Sequence, residues 1–343
     1  MPASRDDTPP LSGSLFPEIA ADKPAGVTAA EPDAQTVALA RDLPGGLHLG
    51  TSSWHFPGWA GLVWDRAYSD KQLSREGLSA YAAHPLFGAV GLDRGFYRPL
   101  TAAQYADYAA AVPDDFRFVV KGPSQVTDAL VRDAGGQGRR PNPGFLDGEQ
   151  AWAQFVAPAC EGLGAKVGAL VFQISPLPPS WTANMDELIA RLHAMLRAIA
   201  GVRDRAPQAV IAVEVRNGEW LCPAFVEALQ DTGATYCLGL HPKMPPIERQ
   251  LPVLRRLWPG PFVCRWNLNV RHGAFGYERA RDLYAPFDKL VDPDLDTRAT
   301  LARVIAGTVG AGQPAYVTIN NKAEGSSPLS VAALAEAVRA AQS

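Results

Sequence analysis

Histidine and cysteine are scarce in this chain, and the scarcity narrows its chemistry. Six histidines are spread over 343 residues: His48, His55, His84, His193, His241 and His272. A dedicated zinc or iron centre draws several imidazoles and carboxylates to one point. Only His55 and His241 fall at the end of an expected strand, so neither a metal nor another cofactor is expected. The four cysteines, Cys160, Cys222, Cys237 and Cys264, include no C-x-x-C pair and none lies near metal-spaced histidines. They read as reduced thiols of a cytoplasmic protein. The first ten residues, MPASRDDTPP, lack the apolar core of a secretory signal. No run reaches the ~18 apolar residues that a membrane span requires, so no membrane contact is expected.

Two catalytic signatures are also missing. After the first apolar run the chain reads GTSSWHFPGW, which is not the G-x-G-x-x-G of a dinucleotide site. Nor is there a G-x-S-x-G nucleophile elbow. The net charge of −3 provides no whole-molecule attraction to nucleic acid or anionic lipid, although it leaves a local basic site open.

What is present is an ordinary globular composition, 47% hydrophobic and 20% charged. Residues 1–43 are rich in Pro, Ala, Asp and Ser without a sustained period, and are expected to form a disordered tail. Leu15 and Phe16 are its candidate docking residues. Residues 44–343 then alternate. Eight short β-branched runs cover 48–53, 89–93, 117–122, 169–174, 210–216, 235–240, 262–267 and 315–321. Most are continuously apolar, as parallel strands buried on both faces must be. Amphipathic stretches lie between them, at 70–83, 102–111, 148–163, 185–200 and 329–341. This pattern predicts an α/β chain forming one TIM-like (β/α)8 barrel domain over 44–343. Two insertions follow strand ends, at 124–143 and 271–296, and are expected above the same face.

In such a barrel the C-terminal strand ends face the ligand. Taken in order they supply Trp54, then Asp93 with Tyr97, then Lys121, Gln173, Glu214 with Arg216, His241, Arg265 with Asn267, and finally Asn320, Asn321 and Lys322. Trp220 follows shortly after Arg216 as a further aromatic candidate. Charges in otherwise apolar strands, such as Glu214 in AVIAVEVR and Lys121 in FVVKG, are costly unless paired. Either they close the mouth as salt bridges, with Glu214 against Arg216 or Arg265, or they meet a ligand. Repetition of the pattern on several strands favours a ligand. Cations outnumber carboxylates and arginine matches carboxylate or phosphate, so a small anionic partner is expected. Glu214 is the candidate acid or base and Lys121 the second candidate catalytic residue, as a clamp on charge or, were burial to depress it, as a Schiff-base amine. Glycoside hydrolysis would need a second carboxylate, Asp93 or Glu324. The alternative is a non-catalytic barrel that binds a nucleotide or nucleic acid, its groove extended through Arg132, Arg139 and Arg140. In EGSSP, at 324–328, Ser326 or Ser327 is a candidate helix cap or phosphate contact.

Six ordered motifs resemble the YecE-like family, also called domain of unknown function 72. They are GTSSW with a following PGW (50–59), FYR (96–98), FRFVVKGP (116–123), VFQISP (171–176), VEVRNGEW (213–220) and INNKAEG (319–325). The resemblance spans about 47–340 and implies a TIM barrel. It implies no activity. Lys121, Gln173, Glu214, Arg216, Trp220, Arg265, Asn320 and Asn321 fall on the family's polar motif positions. The chain departs from the family pattern where GLDRG (91–95) lacks a glutamate and has Asp93 in place of an asparagine, and where Asn267 stands for a histidine.

Overall fold

The eight apolar runs do what strands without a polar face must do, which is to close on one another and cover the outside with helices. The computed structural model describes residues 26–132, 138–273 and 275–342. Its strands are β1 (Leu47–Thr51), β2 (Ala89–Leu92), β3 (Arg117–Lys121), β4 (Leu130–Arg132), β5 (Gly138–Pro141), β6 (Val167–Gln173), β7 (Val210–Glu214), β8 (Thr235–Leu240), β9 (Phe262–Trp266) and β10 (Ala315–Ile319). All but β4 and β5 form a closed parallel barrel in the order β1-β10-β9-β8-β7-β6-β3-β2. β1 and β2 approach so closely that a Cβ on Gly50 would lie 1.8 Å from the Ala89 carbonyl oxygen.

Strand periodicity sorts the side chains into layers. Val119, Val171, Ala212, Cys237 and Val263 form one small buried cluster within the ring, joined by Ala169, Val210 and Tyr316. Their neighbours in sequence, among them Phe118, Phe172, Val213, Leu238 and Cys264, belong to the large outer core shared with the helices. Two residues further along the inward-facing register come Lys121, Gln173, Glu214, Gly239 and Arg265. The period of two therefore stacks a polar layer directly on an apolar one.

The helices depart from the sequence expectation in instructive ways. The stretch 70–83 breaks at Gly77 into Asp70–Glu76 and Leu78–Ala82. In the stretch 148–163 the middle turn, Trp152–Val156, is π-helical. Pro158 follows it, and a ring without an N–H cannot continue the ordinary ladder. The expected disordered tail is corrected over its second part. Ala34–Asp42 is a helix, capped where the Asp33 carboxylate accepts from the Thr36 N–H, and its Leu39 is buried. Residues 1–25, including Leu15 and Phe16, lie outside the described residues.

Both insertions have structure of their own. Within 124–143, β4 and β5 pair as an antiparallel hairpin. Of the arginines expected to extend a groove there, Arg140 is exposed, and the side chains of Arg132 and Arg139 lie outside the described residues. The second insertion carries the helix Tyr277–Tyr284. It is pinned where the Tyr284 hydroxyl donates to Asp292 at 2.5 Å and meets His272 Nε2 at 2.6 Å. Among the described residues no helix is long and apolar enough to cross a membrane. The four cysteines are free thiols, three of them buried.

Candidate functional site

The polar layer lies at the C-terminal end of the barrel beneath a cavity of about 570 Å³. Its walls come from the ends of all eight barrel strands and from the helix carrying Tyr277. Trp54, Asp93, Tyr97, Lys121, Gln173, Arg216, Arg265, Asn267 and Asn320 all line it, as the strand-end reading expects.

At the floor is an ion cluster. Glu214 is completely buried, and its Oε2 accepts from Arg265 Nη1 at 2.7 Å. Its Oε1 is paired with Arg216. Arg265 spends its other terminal nitrogen on Asp93 Oδ2, at 2.6 Å. Gln173 Oε1 accepts from both arginines, each at 3.2 Å. Register explains the convergence, because Gln173 stands beside Glu214 and Gly239 beside Arg265. Gly239 has no side chain to occupy the space, and a Cβ there would meet Arg216 Nη1 at 2.9 Å and Glu214 Oε1 at 3.0 Å.

This geometry favours the charged form of Glu214. Burial alone raises a carboxyl, but Arg216 and Arg265 outweigh it and hold the group down at about 2. Both of its oxygens are engaged. The arrangement suits Glu214 to fixing two guanidinium groups. Salt-bridge closure of the mouth, one of the two sequence readings, is therefore present at the floor.

The walls tell a different story. Lys121 reaches the cavity with its Nζ 3.6 Å from the centre of the Phe96 ring. Lys322 Nζ lies 4.1 Å from the centre of the Tyr277 ring. Among the described residues neither ammonium has a carboxylate within salt-bridge distance. Burial lowers the Lys121 amine to about 8; Asp93 and Glu214 pull it upward, and Arg265 and Arg216 push it down. His241 is also lowered by burial and by Arg216, to about 4, so its ring is neutral. The Lys243 N–H donates to His241 Nδ1 at 3.1 Å, which leaves the proton on Nε2. Asn320 Nδ2 donates to Ser52 Oγ at 2.8 Å. The indole N–H of Trp54 and Oδ1 of Asp93 are buried without a hydrogen-bond partner.

Two expected site residues turn away. Trp220 is fully buried and packs edge-on against Phe225 beneath the helical layer. Asn321 is buried behind the wall, where its Oδ1 accepts from Trp59 Nε1, the Ser327 N–H and the Ser327 hydroxyl. The EGSSP segment is spent in the same way. Ser327 serves Asn321, and Glu324 is buried against Arg298 at 2.7 Å, so neither residue lines the cavity. Glu324 is thereby removed as a partner carboxylate for Glu214. Conversely, the sequence reading passed over Tyr108, which lines the cavity and meets Trp54 edge-on at 5.7 Å, because it is one apolar residue of a surface helix. Phe96 was legible only as part of the FYR motif.

A larger cavity, about 730 Å³, opens at the opposite end of the barrel around His48, Arg117 and Tyr316. It collects the N-terminal strand ends, which in barrels serve stability, and His48 is stacked on Tyr316 there. The C-terminal cavity, with its concentrated charge, is the functional candidate. Among the described residues no three His, Cys, Asp or Glu side chains group as a metal site.

Comparison with known proteins agrees with this architecture. A family model described as "Protein of unknown function DUF72" matches residues 48–343. A DUF72 family protein from Enterococcus faecalis superimposes with a TM-score of 0.53 at 18% identity, over 86% of this chain and 95% of its own. One from Thermotoga maritima gives 0.50 at 19% identity, over 84% of this chain and 98% of its own. No curated protein matches.

Proposed function

Because this chain belongs to the DUF72 family, whose function is unknown, we propose its role from the cavity itself: an enzyme site for a small anionic compound, phosphorylated or sugar-containing, at the C-terminal face of the barrel. The carrying observation is the charge balance of the walls. Arg94, Lys121, Arg216, Arg265 and Lys322 line the cavity against a single lining carboxylate, Asp93. Glu214 below neutralises only part of this. Two of the cations rest on aromatic faces alone, an arrangement that a bound anion would complete. The floor cluster holds Arg216 and Arg265 in one geometry before any ligand arrives, which favours electrostatic stabilisation of developing charge. Asn320 and Gln173 are placed to orient the ligand, and Trp54 offers an unpartnered indole N–H.

The test is thermal stabilisation by phosphate, pyrophosphate and sugar phosphates, with Lys322→Gln as the control. A ligand at about 100 times its dissociation constant adds about 2.7 kcal/mol of stability. Stabilisation that weakens in Lys322→Gln supports the reading; equal stabilisation of both proteins, or of neither, removes it.

A second reading, nucleotide or nucleic-acid binding without chemistry, draws on the rim. Tyr97 is 84% exposed and Phe275 90% exposed, and Lys243 Nζ lies 5.1 Å from the centre of the Phe275 ring. Exposed rings beside cations suit stacked bases. Affinity for an oligonucleotide that falls steeply with salt would favour it over the small-molecule site.

A further inference from the structure

We propose that Lys121 is a covalent catalyst: its side-chain amine condenses with the carbonyl of a small aldehyde or ketone that also carries an anionic group, forming a protonated imine at the mouth of the barrel. The inference rests on the anion-site reading above and adds the reacting atom and the substrate class to it.

The geometry carries the argument. Lys121 ends β3 and points into the cavity, with Nζ over the Phe96 ring. The cluster below supplies two carboxylates, yet both are committed elsewhere. Glu214 is closed by two arginines, and Asp93 gives Oδ2 to Arg265. A half-buried lysine whose task was structural would be expected to take one of those carboxylates for itself. Here the arginines hold them, and the amine is left facing open space. An ammonium over a ring gives up a weaker partner on becoming neutral than one paired with a carboxylate does.

The groups facing Nζ also suit the reaction. Asp93, Glu214, Arg216 and Arg265 set its electrostatic surroundings, and burial with the two arginines outweighs the two carboxylates, bringing the amine to about 8. At neutral pH a lysine so lowered holds a larger share of free amine than an ordinary one. Asp93 Oδ1, buried and without a hydrogen-bond partner, is available as a proton relay.

The step balances without another reagent. The Nζ lone pair forms the C–N bond while the carbonyl π pair moves to oxygen, which takes up the proton that nitrogen loses. The resulting hydroxyl then leaves as water with one further proton, delivered through Asp93. In sum, lysine ammonium plus carbonyl gives iminium plus water. The cationic carbon–nitrogen bond becomes the electron sink for any bond broken next to it, and the anionic group of the substrate faces Lys322 and Arg216.

Reductive trapping tests this on the full chain. The protein is incubated with pyruvate, and separately with ribose 5-phosphate, in the presence of sodium cyanoborohydride, and its peptides are mapped by mass spectrometry. The expected result is an adduct on Lys121 in preference to every other lysine, formed faster as the pH rises through about 8. Lys121→Arg, which keeps the positive charge and has no amine to condense, should lose that adduct while its melting point persists. Absence of an adduct on Lys121 with both probes, or labelling of surface lysines to the same extent, overturns the covalent role. Pyrophosphate separates the two claims. If it stabilises the protein but no adduct forms, only the imine is lost. If it does not stabilise the protein either, the anion site fails with it.

Discussion

Arg265 Nη1 stands 2.7 Å from Glu214 Oε2, and the two side chains are 5% and 0% exposed. A guanidinium and a carboxylate so completely withdrawn from water are tied to each other's presence. Removing one partner of a buried pair leaves an uncompensated charge, at a cost of about 3–5 kcal/mol. Here Glu214 also serves Arg216, so two cations would be stranded. Glu214→Gln should lower the unfolding free energy by about that amount in urea titration. A loss below about 1 kcal/mol would show that the cluster does not depend on the Glu214 charge.

The same pair sets an acid limit. The Glu214 carboxyl is held at about 2 in the folded protein, below its ordinary 4.5. A depressed carboxyl contributes stability that is complete above the unfolded value and disappears as pH falls toward the folded one. The difference in melting point between the wild type and Glu214→Gln should therefore be full above pH 4.5 and shrink as the pH falls toward about 2. A difference that stays constant across that window would contradict the assignment.

Gly239 is predicted to be intolerant of a methyl group. The new Cβ would lie 2.9 Å from Arg216 Nη1 and 3.0 Å from Glu214 Oε1, atoms that the cluster holds fixed. Gly239→Ala should destabilise by about 1–3 kcal/mol, as overpacking does. It should also weaken anion binding, because Arg216 must move. Thermal stabilisation by pyrophosphate, measured on the variant, reads both effects. Unchanged binding would place the anion away from Arg216.

The two tryptophans named from sequence should separate cleanly. Trp220 is buried in the outer core, so Trp220→Ala should cost about 3–5 kcal/mol and leave the affinity of the remaining folded protein intact. Trp54 lines the cavity. Trp54→Phe, which keeps much of the ring and loses the indole N–H, should reduce ligand affinity with a smaller effect on stability. Calorimetric titration and denaturant unfolding of both variants would show the contrast, and equal affinity losses would sink it.

Much of this protein was readable along the chain because the signals were local. Eight short apolar runs, most of them continuous, read as strands buried on both faces, and the helical periods between them left a closed parallel barrel as the consistent arrangement. The polar strand ends followed from that fold, and most of the named residues do meet at one cavity. The helix at 34–42 was missed because its hydrophobic period is weak; it is held by the Asp33 cap and by Leu39 against the core.

What tertiary structure alone decided was pairing and direction. Asn320 and Asn321 are neighbours in sequence, yet one lines the cavity and the other is locked behind it by Trp59 and Ser327. No pattern of residue types distinguishes them, because the turn after β10 sets which side each one faces. Sequence likewise supplied two carboxylates and a set of cations without saying who holds whom. The barrel register brought Gln173, Glu214 and Arg265 onto one level, and Gly239 left room for the guanidinium groups. Both carboxylates went to arginines as a result, and Lys121 was left with an aromatic face and the open cavity. That allocation is long-range electrostatics and packing, which no stretch of the chain carries by itself.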